Sequence, residues 1–339
     1  MKKSAKAPVG SVSIDRINYL NVGLMLMSLL FAYILPVELF LFVYAVLGPL
    51  HYLTEISWLE KKSYFLKSGN DLWIFLVLLI PITIGTFAVK SSIHSLVGNF
   101  IFASFLYALI ILVVEKTSLK LLLVAVSFLL SLMFNFSKYP GFPFILFAIW
   151  LPTIVHVFLF TGLFILFGAL KSRSTSGIIS LVCFVACAVS FFIYRPESIG
   201  AISEYGKKTY IYFRALNISL YQVFGFGDLR TRPDQLFLDP SALAIMRFIA
   251  FSYTYHYLNW FSKTTVIRWN EVSKTRLSII SILWILSVSL YIFNYKMGIY
   301  VLFLLSMLHV VLEFPLNHQT FLGIGTELKS IFLLKERKR

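Results

Sequence analysis

VGNFIFASFLYALIILVV (residues 97–114), then EKTS, then LKLLLVAVSFLLSLMFNF (residues 119–136), is the stretch whose reading decides the fold. The first run holds no acidic or basic side chain, and the second holds only Lys120. A helix needs about 20 mostly apolar residues to cross the hydrocarbon layer of a bilayer. Working outward, comparable runs recur along the whole chain. Of 339 residues, 59% are hydrophobic, only 13% are charged and 34 are phenylalanine. Mean hydropathy is +0.84. A soluble domain has no means of hiding so much apolar surface. The expected fold is therefore all-α, a polytopic transmembrane bundle of about ten helices.

The expected spans lie near residues 19–35, 37–58, 72–89, 97–114, 119–136, 143–170, 177–194, 241–261, 276–294 and 297–315. Pro36 separates the first two, because proline ends one helix and suits the first turn of the next. A basic start (residues 1–18) shows no cleavage site of a signal peptide. Spans one to seven occupy residues 19–194, a long outer segment covers 195–240, spans eight to ten occupy 241–318, and a basic tail (319–339) closes the chain. Cys183 and Cys187 share one helix face, which points to packing rather than a disulfide framework.

Basic residues orient the bundle. With the N-terminus in the cytoplasm, the inner side receives twenty of the 30 lysines and arginines, among them Lys2, Lys3, Lys6, Lys67, Lys116, Lys120, Arg268 and the tail. Short outer loops hold only Lys90, Lys138 and Lys296. Both termini are then cytoplasmic. Anionic lipid headgroups account for the net charge of +15, and no nucleic-acid partner is implied. The expected location is a bacterial inner (plasma) membrane. Within the outer segment, GFGDLR lacks the third glycine and the βαβ context of a dinucleotide site. Asn217-Ile218-Ser219 is a formal glycosylation sequon.

The chemistry rests on histidines. GPLHYLTEISWLEKK (residues 48–62) places His51 and Glu55 four residues apart, on one helix face. His309 and Glu313 repeat that spacing. His156 and His256 fall within other spans, and His318 follows the last one. Projected onto the orientation, all five histidines and both glutamates occupy the middle and inner half of the bilayer. His94 falls in an outer loop, and Glu38 is read as an interface residue. Intramembrane histidines often do no more than bond a neighbouring helix, and a proton relay would also use such groups. Convergence of so many at one depth favours a metal site, because facing helices of a bundle build such sites from imidazole and carboxylate. That donor set suits iron, with one or two ions, or alternatively zinc. Pro315 is expected to end the last helix and let the chain fold back, bringing His318 to the site from below. Tyr52, Tyr255, Tyr257, Asn259 and Trp260 are expected to line a pocket for a substrate.

GPLHYLTE, YHYLNWFSK and HVVLEFPLNH, spread over apolar helices, resemble in layout the multi-histidine membrane proteins grouped with Brp/Blh-type β-carotene cleavage dioxygenases. That family carries a proline-histidine-glycine motif where this chain has Pro49-Leu50-His51-Tyr52. The resemblance implies a non-haem iron held by helix-borne histidines beside a hydrophobic tunnel, with His51, His156, His256 and His309 as the candidates. The leading functional expectation is a membrane-bound, metal-dependent oxygenase acting on a lipid-soluble substrate, with Glu55 and Glu313 as ligands or bases. The alternatives are an intramembrane zinc-dependent lipid hydrolase, and a proton-coupled transporter that uses the His/Glu cluster as a relay.

Overall fold

The computed structural model describes residues 14–62, 70–133, 144–196, 202–263 and 272–336. Its regular elements are all helical. In chain order they are α1 (Ile14–Ile34), α2 (Pro36–Lys62), α3 (Asn70–Phe87), α4 (Ser92–Val113), α5 (Thr117–Met133), α6 (Phe144–Ser172) and α7 (Thr175–Ile193). There follow α8 (Glu204–Tyr210), α9 (Arg214–Val223), α10 (Pro240–Ser262), α11 (Lys274–Phe293) and α12 (Tyr295–Glu336). Among the described residues, seven helices are long and apolar enough to cross a membrane: α1, α2, α4, α6, α7, α11 and α12. The apolar helices of α3 and α5 are shorter. The chain is an integral membrane protein.

Local signals account for the boundaries. Pro36 opens α2, where its missing N–H is not needed. Ser174 accepts from the Gly177 N–H at 3.1 Å and starts α7. Asp239 accepts from Ser241 and Ala242 N–H at 2.8 and 3.0 Å, and Pro240 follows it as the first residue of α10.

The helix α10 is the exception that organises the bundle. It is 23 residues long but falls outside the seven, because it carries Arg247, His256, Asn259 and a run of tyrosines. It packs against α1, α2, α6 and α7, and seventeen of its residues are buried. Neighbouring helices shield it from lipid, so its outer faces need not be apolar. Arg247, buried at 1% exposure, donates to the Pro196 carbonyl at 2.9 Å. One apolar core gathers α1, α2, α7 and α10, and a second gathers α3, α4, α6 and α12. Where they meet, α6 contributes to both.

Several expectations change. The last span does not stop at Pro315. Instead α12 runs on through that proline to Glu336, and Arg173 bonds Glu327 at 2.9 Å and Ser330 at 2.6 Å from the turn before α7. At 1.5 Å per residue its 42 residues reach about 63 Å, twice the hydrocarbon thickness. Lys120, counted among the inner-side charges, does not reach the headgroups. It is fully buried in α5 and pairs with Asp71 of α3 at 2.7 Å. Asn217 of the sequon is fully buried, with its amide directed at Tyr210 Oη and the Ala242 carbonyl. The GFGDLR glycines serve a turn, since Gly225 and Gly227 have φ of 77° and 116°, which favour glycine. Beside them Arg230 holds the Asp228 carboxyl below its usual range by hydrogen bonding it. Glu38 anchors α8 by accepting from Ser203 N–H at 2.9 Å and its hydroxyl at 3.0 Å. His94 sits in α4 and contacts the Gly85 carbonyl at 2.9 Å. Cys183 and Cys187 are free thiols 4.0 Å apart. Lys2, Lys3, Lys6, Lys67, Lys138 and Arg268 lie outside the described residues.

Candidate metal centre

Four helices bring the histidines together. Along α2 and α10, Tyr44 meets Tyr253, His51 meets His256 and Trp58 meets Trp260, in the same order on both, so these helices run parallel. Along α6 and α12, His156 meets His309 and Phe160 meets Phe321, again in one direction. Each histidine therefore sits at a similar level. His51, His156, His256 and His309 are all buried, as are Glu55 and Glu313.

The Nε2 atoms face one another. His256 Nε2 lies 3.1 Å from His51 Nε2, and His309 Nε2 lies 3.2 Å from His156 Nε2. Two nitrogens bound to one ion at ~2.05 Å are separated by about 2.9 Å at an octahedral right angle and about 3.35 Å at the tetrahedral angle. The observed pair distances fall between those limits. Ligand atoms of His51, His156 and His256 lie within 4.8 Å of one another, and so do those of His51, Glu55 and His309. These buried groups can hold a metal ion.

The carboxylates differ in what they touch. Glu55 Oε2 stands 3.0 Å from His51 Nε2, on the side where the rings converge. Glu313 Oε2 stands 2.8 Å from His156 Nδ1, on the far side of that ring from His309. Both distances suit a hydrogen bond, yet neither contact is aligned as one, and both Oε2 atoms are left without a partner. A carboxylate beside Nδ1 still favours the proton there, which leaves the Nε2 lone pair free to bind a cation. His256 has a hydroxyl in that role: Thr161 Oγ1 lies 2.8 Å from its Nδ1. Nδ1 of His51 and of His309 has no hydrogen-bond partner among the described residues.

The walls are aromatic. Tyr257 packs its ring 5.1 Å from that of His51, and Trp260 lies 5.6 Å from it while donating to Thr54 Oγ1 at 3.0 Å. Tyr52 lies 5.7 Å from His309. Beside the histidines lies a cavity of about 130 Å³, which His156, His256 and His309 share with Tyr44, Tyr253 and Tyr257. Apart from Val157 and Tyr257, its lining residues on α2, α6, α10 and α12 precede the histidines or are the histidines themselves, whereas Glu55 and Glu313 follow them. The site is layered as cavity, imidazoles, then carboxylates.

Three expected members are elsewhere, and Tyr52 and Trp260 flank the imidazoles without lining the cavity. His318 is nine residues past His309, about 13.5 Å along the axis and half a turn round, because Pro315 does not break α12. Its Nε2 contacts the Phe105 carbonyl at 2.9 Å and its ring lies 4.4 Å from that of Phe105. Tyr255 turns away from the histidines, donating to Asn21 Oδ1 at 3.1 Å and packing on Phe184. Asn259 is buried but does not line the cavity.

Thr161, Tyr44 and Tyr253 escaped the sequence reading. Thr161 follows His156 by five residues, which an α-helix would set about 140° apart. The first part of α6, Phe144–Phe160, is wound as a π-helix, whose i→i+5 bonding brings such residues near one face. The tyrosines gave a signal, their spacing of seven and three residues before His51 and His256, that only the parallel packing makes readable.

No protein-family model matches the chain, and no curated protein or solved structure matches it.

Proposed function

We propose that the chain is an integral-membrane oxygenase that holds non-haem iron on His51, His156, His256 and His309 and acts on a lipid-soluble substrate. The observation that carries this reading is the convergence of four buried imidazoles at ligand spacing, three of which line a cavity. Iron held by these imidazoles would supply oxygen-activating redox chemistry. The rest falls to the chain. Thr161 and Glu313 orient His256 and His156 from behind their rings. Glu55, on the converging side, is placed to ligate or to take a proton from a bound water. Trp260, Tyr257 and Tyr52 close the site and exclude bulk water. The substrate enters from the bilayer, in keeping with a bacterial inner membrane and cytoplasmic termini. A reporter fused after Arg339 that reads as external would reverse this orientation.

Elemental analysis of the purified protein tests the reading directly. About one iron per chain is expected from a single set of four nitrogens, with oxygen consumed when a substrate is present. Zinc alone, with Glu55 as its base, would replace the oxygenase by a hydrolase. A protein that never carries metal would leave the relay of a transporter.

A further inference from the structure

The cavity beside the histidines has a size and a lining that specify what it accepts. Its volume is about 130 Å³. An apolar cavity of about 150 Å³ takes up one benzene, so this one has room for a single six-membered ring. Rings of Tyr44, Tyr253, Tyr257 and Phe303, with Pro152, form its walls, and such surfaces suit a flat guest. No lysine, arginine, aspartate or glutamate lines it, so a charged head has no counter-ion.

Hydroxyl groups set the polarity. Thr86 donates to the Ile82 carbonyl at 2.8 Å and Thr153 donates to the Ile149 carbonyl, so each can only accept toward the cavity. Tyr253 and Tyr257 are each 94% buried, at 6% exposure, and line the cavity. Their hydroxyls make no hydrogen bond among the described residues. The Tyr257 hydroxyl has its place because residue 48 is glycine, where a Cβ would stand 3.3 Å from it. That leaves two tyrosine donors and, on half-buried Thr86 and Thr153, two acceptors for a guest to meet. An alkyl chain end meets none. A hydroxyl on a ring accepts from a tyrosine and donates to a threonine.

We propose that this cavity binds a hydroxylated six-membered ring, the phenol or quinol head of a lipid-soluble molecule, against His156, His256 and His309. The proposal rests on the oxygenase reading for its chemistry, while recognition of the ring depends only on the lining. Phenol and toluene match in ring size and differ in the hydroxyl, so they serve as probes. Binding of each to the detergent-solubilised full chain is measured by saturation-transfer NMR or calorimetry. Phenol should bind about tenfold more tightly than toluene, as expected of one or two net hydrogen bonds. In a protein carrying Tyr253→Phe and Tyr257→Phe together, the two affinities should fall within about threefold of each other, with metal content unchanged as the check on folding. Equal binding of phenol and toluene by the native chain would overturn the proposal. So would a preference that survives both substitutions but disappears on chelation, since phenol would then be ligating the ion. A phenol preference that survives chelation and is lost with the two phenylalanines supports the ring site, whatever metal analysis says of the oxygenase.

Discussion

Two clusters of charged and polar side chains are buried in this protein, and they are built in opposite ways. In the first, Lys120 of α5 and Tyr107 of α4 both donate to Asp71 Oδ1 of α3, at 2.7 and 3.0 Å, with Lys120 and Asp71 fully buried. Donors meet an acceptor, and opposite charges meet each other. In the second, imidazole nitrogens face imidazole nitrogens, two carboxylate oxygens are short of alignment, and Nδ1 of His51 and of His309 is unpartnered. With the protons on Nδ1, the Nε2 lone pairs face one another. A saturated cluster ties helices together, whereas a convergent set of imidazoles and carboxylates can hold a cation between them.

The sharpest way to break that contrast is to remove one member of each cluster. His256→Ala should abolish tight metal binding, with metal content falling by tenfold or more, and should cost the metal-free fold little. Asp71→Ala leaves Lys120 buried without its counter-charge and should destabilise the protein by about 3–5 kcal/mol, while the folded fraction keeps its metal. Elemental analysis and thermal unfolding of the two variants decide it. If Asp71→Ala lost the metal at unchanged stability, the two clusters would not differ in kind.

The sequence made one half of this picture legible and hid the other. Apolar runs announced a membrane bundle, and the i,i+4 pairs of α2 and α12 announced the carboxylates, because both signals are local. In the sequence Lys120 stands as one more basic residue at the inner end of its span. Only the packing of α3 against α4 and α5 shows its partner, forty-nine positions away at Asp71. α10 was found, but its central place was not, since a hydropathy scan sees composition and not the four helices around it. Thr161 was hidden by the π-winding of α6.

Within the convergent cluster, the glutamates offer a finer comparison. Glu313 touches the back of His156 and acts through it, whereas Glu55 touches the converging side of His51. Glu313→Gln should lower metal affinity about 10- to 100-fold, as loss of a group orienting a ligand does, and leave the ion's absorption or EPR signature unchanged. Glu55→Gln removes a carboxylate from the coordination space and should change the signature itself. Identical spectra for both variants would place Glu55 behind its ring as well. In that case four nitrogens alone would define the ion's surroundings.

The smallest effect is expected at His318, where the sequence and the structure disagree most. A proline four residues past Val311 removes one N–H from the helical ladder and crowds the Val311 carbonyl, which in water would end the helix. In a membrane bundle the neighbours hold the helix together across such a gap, and α12 continues. His318 is thereby carried away from the ligand level to the Phe105 carbonyl on α4. His318→Ala should therefore retain full metal content and cost about 0.5–1.5 kcal/mol, the net value of one hydrogen bond with some loss of ring packing. Metal content measured beside that of His309→Ala decides the matter. Equal loss in the two would mean that α12 breaks at Pro315 after all and returns His318 to the site.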